Sequence, residues 1–503
     1  MLYNLEWLAP GKAFPPESEM ERIDLYRANE RYFSSEHWRA DTQSLYANYA
    51  QRITRVVGNA ADYVCFPVLF NYHRLLALKT ADLVCGEYPT IKGITDAQNA
   101  TIKEIREDTD FDGRAYATVL DLCRYGDTVW RKYLGDDGKG KFTIWDIKDW
   151  FPIVKQDGTF SIEKDVIAWI VTLGSTESPT YELHVQIHDS RGYESRVYSL
   201  QAHNLLNPQG TYNVNRTIGK LISGPTRVNN SFEGSAIIHI RNIWVSGTVY
   251  GFDDFTPIDS IVAELMTRVA QISNILDKHS DPSMTGPASM LKQNPETGEL
   301  YLEGGDFYAV SPNEEQPKYL VWDGELDGAF KQVELLLNQL YVVSEMGSAL
   351  LGVGGSESGQ AISGTAMRFK MTNPLAKARR LSNMLTLPTK QLLSGLSTMG
   401  YQEVLKKDIS VVWQDGLPDD PKEMMDLVKI GTGETRIVPL KVAIEEYLKR
   451  TPAEADAWIA ANEKAAELAM KRSQETADSN TQPNKAQGSL TGLKSKNRPS
   501  DQQ

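Results

Sequence analysis

Two long segments with helical hydrophobic spacing flank a short region rich in turn residues, and this arrangement constrains the fold more than any other feature. Apolar residues recur every three or four positions from Thr256 to Lys278, and a second such run extends from Leu326 to Leu351. At 1.5 Å per residue the first helix would be about 34 Å long. A helix of this kind cannot bury its apolar face alone, so the pattern predicts a helix pair that supports self-assembly.

The region between the two helices is predicted to be a small strand-containing insert. Asp281-Pro282 and Thr285-Gly286-Pro287 break the chain after the first helix. Three short apolar runs then have strand character. They lie around Leu300–Leu302, Phe307–Ala309 and Tyr319–Val321.

The first half of the chain changes from helical to strand periodicity. Residues 17–113 have helical spacing, whereas residues 118–241 contain short runs of Thr, Val, Ile, Tyr and Trp. Three turn sequences punctuate those runs and predict an antiparallel sheet of six to eight strands. They are Asp136-Asp137-Gly138, Gln156-Asp157-Gly158 and Ser190-Arg191-Gly192.

The second long helix is followed by a glycine-rich segment and then by a helix without acidic residues. The segment is Gly352-Val353-Gly354-Gly355-Ser356-Glu357-Ser358-Gly359, and the helix begins near Thr365. Pro374 and Pro388 are expected to kink this helix. Its cations either pair with acidic neighbours or give a sequence-independent contact for phosphates, and the two interpretations are equally supported. They are Arg368, Lys370, Lys377, Arg379, Arg380 and Lys390.

The C-terminal part is predicted to contain one strand, several acidic helices and a disordered tail. The strand covers Ile409–Trp413, and the helical region runs from Pro421 to about Glu475. Beyond Glu475 large apolar residues nearly disappear, which is typical of disorder. Helices and antiparallel strands in separate stretches place the chain in the α+β class.

Composition limits the possible functions. A chain of 503 residues is long enough for at least two packed regions, and its net charge of -13 excludes a protein that coats nucleic acid through a basic surface. Cys65, Cys85 and Cys123 suit reduced core residues. No secretion signal or membrane-spanning apolar run is found, so we expect a cytosolic protein that does not enter a membrane.

The motifs that could carry chemistry are incomplete. Asp108–Gly113 begins like a calcium-binding loop, but Val119 stands where that loop needs a bidentate Glu. His184 and His188 are four residues apart in a segment of strand character, which favours a structural role over a metal site. The glycine-rich segment lacks a Gly-Lys-Ser/Thr ending, and no nucleophile motif is present. We therefore predict no enzyme activity, no metal site and no cofactor.

The order of elements resembles the portal proteins of tailed bacteriophages, especially the siphophage type, over most of residues 20–470. Each short pattern is loose, and their order, followed by helix, insert, helix, glycine-rich segment and helix, is much more specific. The patterns are Asn71-Tyr72-His73-Arg74, Ala81-Asp82-Leu83, Gly86-Glu87-Tyr88-Pro89, Tyr125-Gly126-Asp127, Trp130-Arg131-Lys132-Tyr133, Trp150-Phe151-Pro152-Ile153-Val154 and Asp157-Gly158.

The resemblance implies a portal-like division of the chain. Its parts are a wing at 1–255 (helical, then antiparallel sheet), stem helices at 256–279 and 325–351, a small α/β clip at 280–324, a tunnel loop at 352–361, a kinked tunnel helix at 362–402, a strand returning to the wing at 403–418, a helical crown at 419–475 and a disordered tail at 476–503.

The resemblance also implies a function and partners. Portal proteins form a dodecameric ring at one capsid vertex of the virion, assembled in the host cytoplasm, through which double-stranded DNA is packaged and ejected. Expected partners are the terminase large subunit, the head-tail adaptor, the major capsid protein and the scaffold. Tyr301, Phe307 and Tyr308 are candidate adaptor contacts, although core packing is at least as well supported for them.

Two other functions remain open from the sequence. The first is another structural virion component, such as a ring adaptor or a tail protein. The second is a hydrolase or nuclease acting on DNA, which ranks lower because no metal-carboxylate constellation stands out.

Overall fold

The fold is described here from a computed structural model. It describes residues 1–35, 70–175, 178–206, 212–232, 234–280, 284–285, 292–293, 295, 298, 300–301, 318–319, 326–348, 368–406, 408–414, 421–433, 437–448, 450 and 452–479. The chain divides into two compact units, Met1–Leu417 and Pro418–Gln503. Helices and antiparallel sheets occur together, so the predicted α+β class is confirmed.

The N-terminal part is helical, as its periodicity predicted. Thr95 forms a capping box with Gln98 at the start of the third helix, and Asp110 in the left-handed region separates the third helix from the fourth. The helices are α1 (Glu17–Ser34), α2 (Tyr72–Cys85), α3 (Asp96–Thr109) and α4 (Phe111–Tyr125).

The predicted start of the strand region at Thr118 is wrong, because α4 continues to Tyr125. Val119 and Leu122 are fully buried at helical spacing, and Thr118 accepts a 2.8 Å hydrogen bond from the Trp130 indole. Tertiary packing therefore outweighs the local β propensity of this stretch. Cys85 and Cys123 are buried free thiols, as expected of core residues, while Cys65 lies outside the described residues.

Antiparallel strands follow, and all three predicted turns join consecutive strands. The strands are β1 (Ala13–Phe14), β2 (Thr90–Lys92), β3 (Asp127–Leu134), β4 (Gly140–Trp145), β5 (Trp150–Val154), β6 (Ile162–Ser175), β7 (Ser178–His188), β8 (Gly192–Leu206), β9 (Tyr212–Asn229) and β10 (Ile237–Arg241). Six strands form the larger sheet in the order β1, β9, β8, β7, β6, β5, and three form a smaller one in the order β10, β3, β4. Two single-turn 3-10 helices lie at Glu6–Leu8 and Ile147–Asp149.

The long helix pair is present, and its second member is shorter than predicted. Helix α5 spans Thr256–Ser280 and α6 spans Leu326–Val343, so the predicted end at Leu351 is wrong. Glu345 adopts a left-handed conformation with φ of 59°, and Met346 is then fully buried in the core. This turn ends the helix because the following residues pack inward instead of continuing along the axis.

The described residues of the insert include four two-residue strands. Strand β11 pairs with β14 and β12 pairs with β13, both antiparallel. These pairings agree with the predicted strands near Leu300 and Tyr319, while Phe307–Ala309 lies outside the described residues. The strands are β11 (Met284–Thr285), β12 (Lys292–Gln293), β13 (Leu300–Tyr301) and β14 (Lys318–Tyr319).

The helix after the glycine-rich segment, α7, spans Thr372–Ser397. Residues 368–370 are helical, but Met371 interrupts them before α7, so the helix predicted from near Thr365 is broken three residues ahead of Pro374, which falls in the first turn of α7. Pro388 lies inside the continuous helix. Strand β15 (Ser410–Val412) follows and pairs with β2, one residue shorter at each end than the predicted strand.

The C-terminal unit is helical, as predicted. Its described helices are α8 (Pro421–Gly431), α9 (Leu440–Tyr447) and α10 (Pro452–Ser479). Helix α10 extends past Glu475, so the expectation of disorder is wrong for residues 476–479, and residues 480–503 lie outside the described part. Within the described residues, no helix is long and apolar enough to cross a lipid bilayer.

Candidate nucleic-acid interface

Helix α7 carries most of the predicted cations on a well-packed support. One face of the helix is fully buried in the main core, where it packs against α2 and β10. The buried leucines at helical spacing are Leu381, Leu385, Leu392 and Leu396. The packing of this buried face fixes the directions in which the other faces of α7 point. The glycine-rich segment itself, Gly352–Gly359, lies outside the described residues.

The six predicted cations do not share one environment. Arg368 and Lys370, in a helical turn just before α7, are exposed, as is Arg379 within it. Lys390 and Arg380 are half-buried, whereas Lys377 is only 3% exposed. Arg368, Lys370 and Arg379 therefore lie at the surface, whereas Lys377 and Arg380 form ion pairs within the chain.

Lys377 contacts the two ends of the long helix pair that lie away from the insert. Its Nζ lies 2.7 Å from Asp254 Oδ2, two residues before α5, and donates a 3.2 Å hydrogen bond to the Ser344 carbonyl just after α6. Burial lowers the pKa of Lys377, but the Asp254 carboxylate more than offsets this, so the pKa is raised above its ordinary value. The ammonium stays charged, and the expectation that Lys377 faces DNA is not met within the subunit.

The partners of Lys377 form a buried polar cluster. Asp254 Oδ1 accepts a 2.9 Å hydrogen bond from the Asn242 amide, and the Asp254 backbone N–H donates to the Cys123 carbonyl at 2.9 Å. Burial, reinforced by the nearby Asp254 charge, raises the pKa of the Cys123 thiol well above its usual range. Cys123 thus remains a neutral thiol and acts as core rather than as a nucleophile.

Arg380 is paired one helical turn further along α7. Its Nη1 donates a 3.2 Å hydrogen bond to Glu345 Oε1, and its Nη2 contacts the second oxygen of the same carboxylate. This fork-to-fork geometry fixes both side chains. Of the two interpretations of the cations, pairing with acidic neighbours therefore applies to Lys377 and Arg380.

A sequence signal for the burial of Lys377 exists. It lies three residues after the buried Pro374 and four before the buried Leu381, and thus on the apolar stripe of the helix. Its partners Asp254 and Ser344 were not predicted, because each lies more than thirty residues away in the chain. Only tertiary structure brings them together.

The long helices leave apolar side chains uncovered in the single chain. On α6, among the described residues, only Leu340 and Tyr341 are buried, and Val342 is 66% exposed. The other exposed large apolar residues of the pair are Leu276 of α5 and Phe330, Leu335 and Val343 of α6. Leu335 and Val342 are seven residues apart and lie on one face of α6, and an exposed apolar face of this kind is typical of an interface with another protein.

The remaining predicted sites have local structural roles in the described residues. Asp108 lies in the last turn of α3 and pairs with Lys139 at 2.7 Å. His184 lies on β7 beside Glu182 at 3.1 Å, and the buried His188 lies 3.3 Å from the Gln186 side-chain oxygen. No group of three or more metal-ligating side chains occurs among the residues described.

The candidate adaptor contacts are only partly described. Tyr301 is in β13, opposite Lys292 of β12. Phe307 and Tyr308 lie outside the described residues.

Comparisons with known proteins give distant structural likenesses only. No family model matches the sequence, and no curated protein matches it. A chain of the virion of a native gene transfer agent particle is similar at 10% identity with a TM-score of 0.42, covering 87% of this chain and 96% of that one. A chain of the neck of the empty particle, computed with C6 symmetry, is similar at 12% identity with a TM-score of 0.41, covering 78% of this chain and 92% of that one. A chain of the neck of the native particle, computed with C12 symmetry, is similar at 10% identity with a TM-score of 0.41, covering 87% and 96%.

Proposed function

We propose that this chain is the subunit of a portal ring, a dodecamer at one capsid vertex through which double-stranded DNA is packaged and ejected. The observation that carries the proposal is the helix pair α5 and α6, whose exposed apolar side chains need a neighbouring copy to cover them. Burying a side chain the size of leucine contributes roughly 1.5–3 kcal/mol, which offsets part of the free energy that each copy loses on association.

A ring requires one particular kind of contact. The exposed face of the helix pair has to pack against a different face of the next copy, because packing against the same face of a second copy would give a two-fold dimer. Head-to-tail contacts that close by rotation give a ring, with one identical interface per subunit. The helix pair would then line the channel, with the insert between the helices at one end of it.

The charge distribution supports DNA transit rather than DNA capture. The chain has a net charge of -13, and a channel of like charge repels a duplex along most of its length. The exposed cations Lys370 and Arg379 on and before α7 provide local phosphate contacts that read no base. Weak, repeated and sequence-independent contacts hold a duplex while allowing it to slide.

Other components supply what the chain lacks. The motor is the terminase large subunit, the insert is the docking site for the head-tail adaptor, and the outer part of the ring meets the major capsid protein and the scaffold. Tyr301, Phe307 and Tyr308 are the proposed adaptor contacts. Gly352–Gly359 would be the tunnel loop, so its deletion is expected to leave rings intact and to impair DNA packaging or retention.

Electron microscopy and light scattering of the purified protein test the proposal directly. Rings with an axial channel are expected, and a monomer or compact dimer at every concentration would overturn it. Leu335→Glu places a charge on the exposed face of α6 and should shift the protein toward the monomer without unfolding it. Leu468→Glu, at a similarly exposed leucine of α10, is the matched control and should leave the rings unchanged.

A further inference from the structure

The loop between β10 and α5 displays large apolar side chains to solvent. Trp244 is 53% exposed, and Val245 and Phe252 beside it are also exposed. Exposed tryptophan in a group with other apolar residues is uncommon on the free surface of a soluble protein and marks a contact site. We call Trp244, Val245 and Phe252 the tryptophan patch.

The loop is fastened to the body of the protein at both ends. The Asn242 backbone N–H donates to the Gly126 carbonyl at 2.8 Å, and the Phe252 N–H donates to the Ile243 carbonyl at 3.1 Å. The Gly251 N–H donates to both carboxylate oxygens of the buried Asp127, at 2.9 and 3.0 Å. The patch is thus held in place before any partner arrives, which removes part of the entropic cost of binding.

Trp244 can be buried by a partner without losing a hydrogen bond. Its indole Nε1 already donates to the Thr248 carbonyl at 3.2 Å, inside its own loop. The Arg241 guanidinium lies 4.5 Å from the ring centroid and holds the ring in place. The usual penalty for burying the indole N–H is therefore already avoided, and the gain on contact is apolar.

The tryptophan patch continues into the exposed end of α6. Ile243 is bridged to Phe252, and it lines a cavity of about 260 Å³ together with Pro257 and Val343. Val343 is itself exposed, next to the largely exposed Val342. We call the tryptophan patch together with Ile243, Val342 and Val343 the strip. Ile243 links its two ends, because it is adjacent to Trp244, bridged to Phe252 and shares the cavity with Val343.

Four of the five charged side chains that line this cavity form ion pairs within the chain, and the fifth, Asp253, accepts hydrogen bonds from the backbone N–H groups of Phe255 and Thr256. Glu345 and Arg380 line the cavity and pair with each other, and Lys377 pairs with Asp254. A charged ligand would have to compete with these pairs, whereas an apolar surface would not. The chemistry of the strip thus fits an apolar protein surface.

We propose that Trp244 is an anchor of the contact between neighbouring copies of this chain. The inference rests on the proposed ring, because the strip is continuous with the face of α6 that the next copy covers there. A second copy is the occupant that this continuity favours, since a head-to-tail ring uses each such strip once per interface. Fixed aromatic residues with a satisfied polar atom are the usual energetic centres of such contacts.

Trp244→Ala tests the anchor when it is paired with a control at another tryptophan. Trp458 of α10 is 42% exposed and also has an arginine over its ring, Arg450 at 5.0 Å, so Trp458→Ala removes a comparable side chain from the other compact unit. Assembly is followed by mass photometry over a range of protein concentrations, with circular dichroism as the folding check. Trp244→Ala should raise the concentration of half-assembly by about tenfold or more, the effect of a typical interface anchor, and Trp458→Ala should leave it unchanged.

Photocrosslinking gives a second readout that does not depend on the alanine variant folding. The photoreactive residue p-benzoylphenylalanine replaces Trp244, and copies with light and heavy isotopes are mixed before irradiation. Crosslinked peptides that join a light copy to a heavy copy are expected.

The possible results separate the anchor from the ring itself. Wild-type rings together with normal assembly of Trp244→Ala, or crosslinks only within one copy, would overturn the anchor and leave the proposed function standing. A wild-type protein that never forms rings would overturn both. Normal assembly of the variant combined with loss of binding to another virion protein would assign the patch to that protein and so also overturn the inference.

Discussion

Lys377 Nζ lies 2.7 Å from Asp254 Oδ2, and this buried ion pair joins α7 to the start of α5. The same ammonium donates to the Ser344 carbonyl, which follows the end of α6. One side chain therefore ties together the two ends of the long helix pair that lie away from the insert. The position of α7, and of the cations it carries, is coupled to the helix pair through this contact.

Lys377→Met is expected to destabilise the protein strongly. The substitution leaves the Asp254 carboxylate largely buried without its counter-charge, and breaking a buried pair in this way costs about 3–5 kcal/mol. Urea unfolding of the first compact unit, followed by tryptophan fluorescence, measures the loss. The double variant Lys377→Met/Asp254→Asn should recover part of it. Equal stability of the single variant and the wild type would show that the pair adds nothing to the fold.

Reversing the Glu345–Arg380 pair should have a smaller effect that a compensating change restores. Both side chains are partly exposed, so solvent screening limits the pair to about 1 kcal/mol or less. Arg380→Glu is expected to lower the melting temperature by about one degree, and Arg380→Glu/Glu345→Arg should return it close to the wild-type value. If the double variant melts no higher than the single one, the contact between the two charges is not what stabilises this junction.

The elements that could be predicted from the sequence are those with local signals. The start of α5 at Thr256 and the hairpin turn at Asp157-Gly158 depend on residues within a few positions of each other, through periodicity and turn preference. Helix starts and hairpin turns can be predicted from neighbouring residues because their hydrogen bonds join residues that are close in the sequence. The helix pair and the antiparallel hairpins were accordingly predicted in the right places.

The elements that could not be predicted are set by contacts between distant parts of the chain. The periodicity of α6 continues past Val343, and it is the burial of Met346 that turns the chain at Glu345. Lys377 was read as a surface cation because its partner Asp254 is remote in the sequence. Propensity describes what a segment allows, and tertiary packing selects among the allowed conformations.

The buried His188 should make the protein less stable as the pH falls. Burial, helped by the nearby Arg131 charge and opposed by Asp189, lowers the pKa of His188 to about 3. The unfolded chain, with a pKa near 6.5, takes up its proton first, so acid favours unfolding over the window from about pH 6.5 to 3. Between pH 7.5 and 5.0 this histidine should remove about 2 kcal/mol of stability. His188→Phe should show that much less loss in urea titrations at the two pH values, and an unchanged pH dependence would contradict the assignment.

The exposed cations near the start of α7 should contribute salt-dependent DNA affinity to the assembled ring. Lys377 and Arg380 are committed to ion pairs within the chain, so the prediction concerns Lys370 and Arg379, both exposed. Lys370→Gln/Arg379→Gln should weaken binding of linear duplex DNA and flatten the plot of log affinity against log salt, because fewer phosphate counterions are released. Lys103→Gln/Lys471→Gln removes the same charge from exposed positions on α3 and α10 and should leave that slope unchanged. Equal slopes for the two double variants would contradict the prediction, because a change of net charge alone would alter both slopes in the same way.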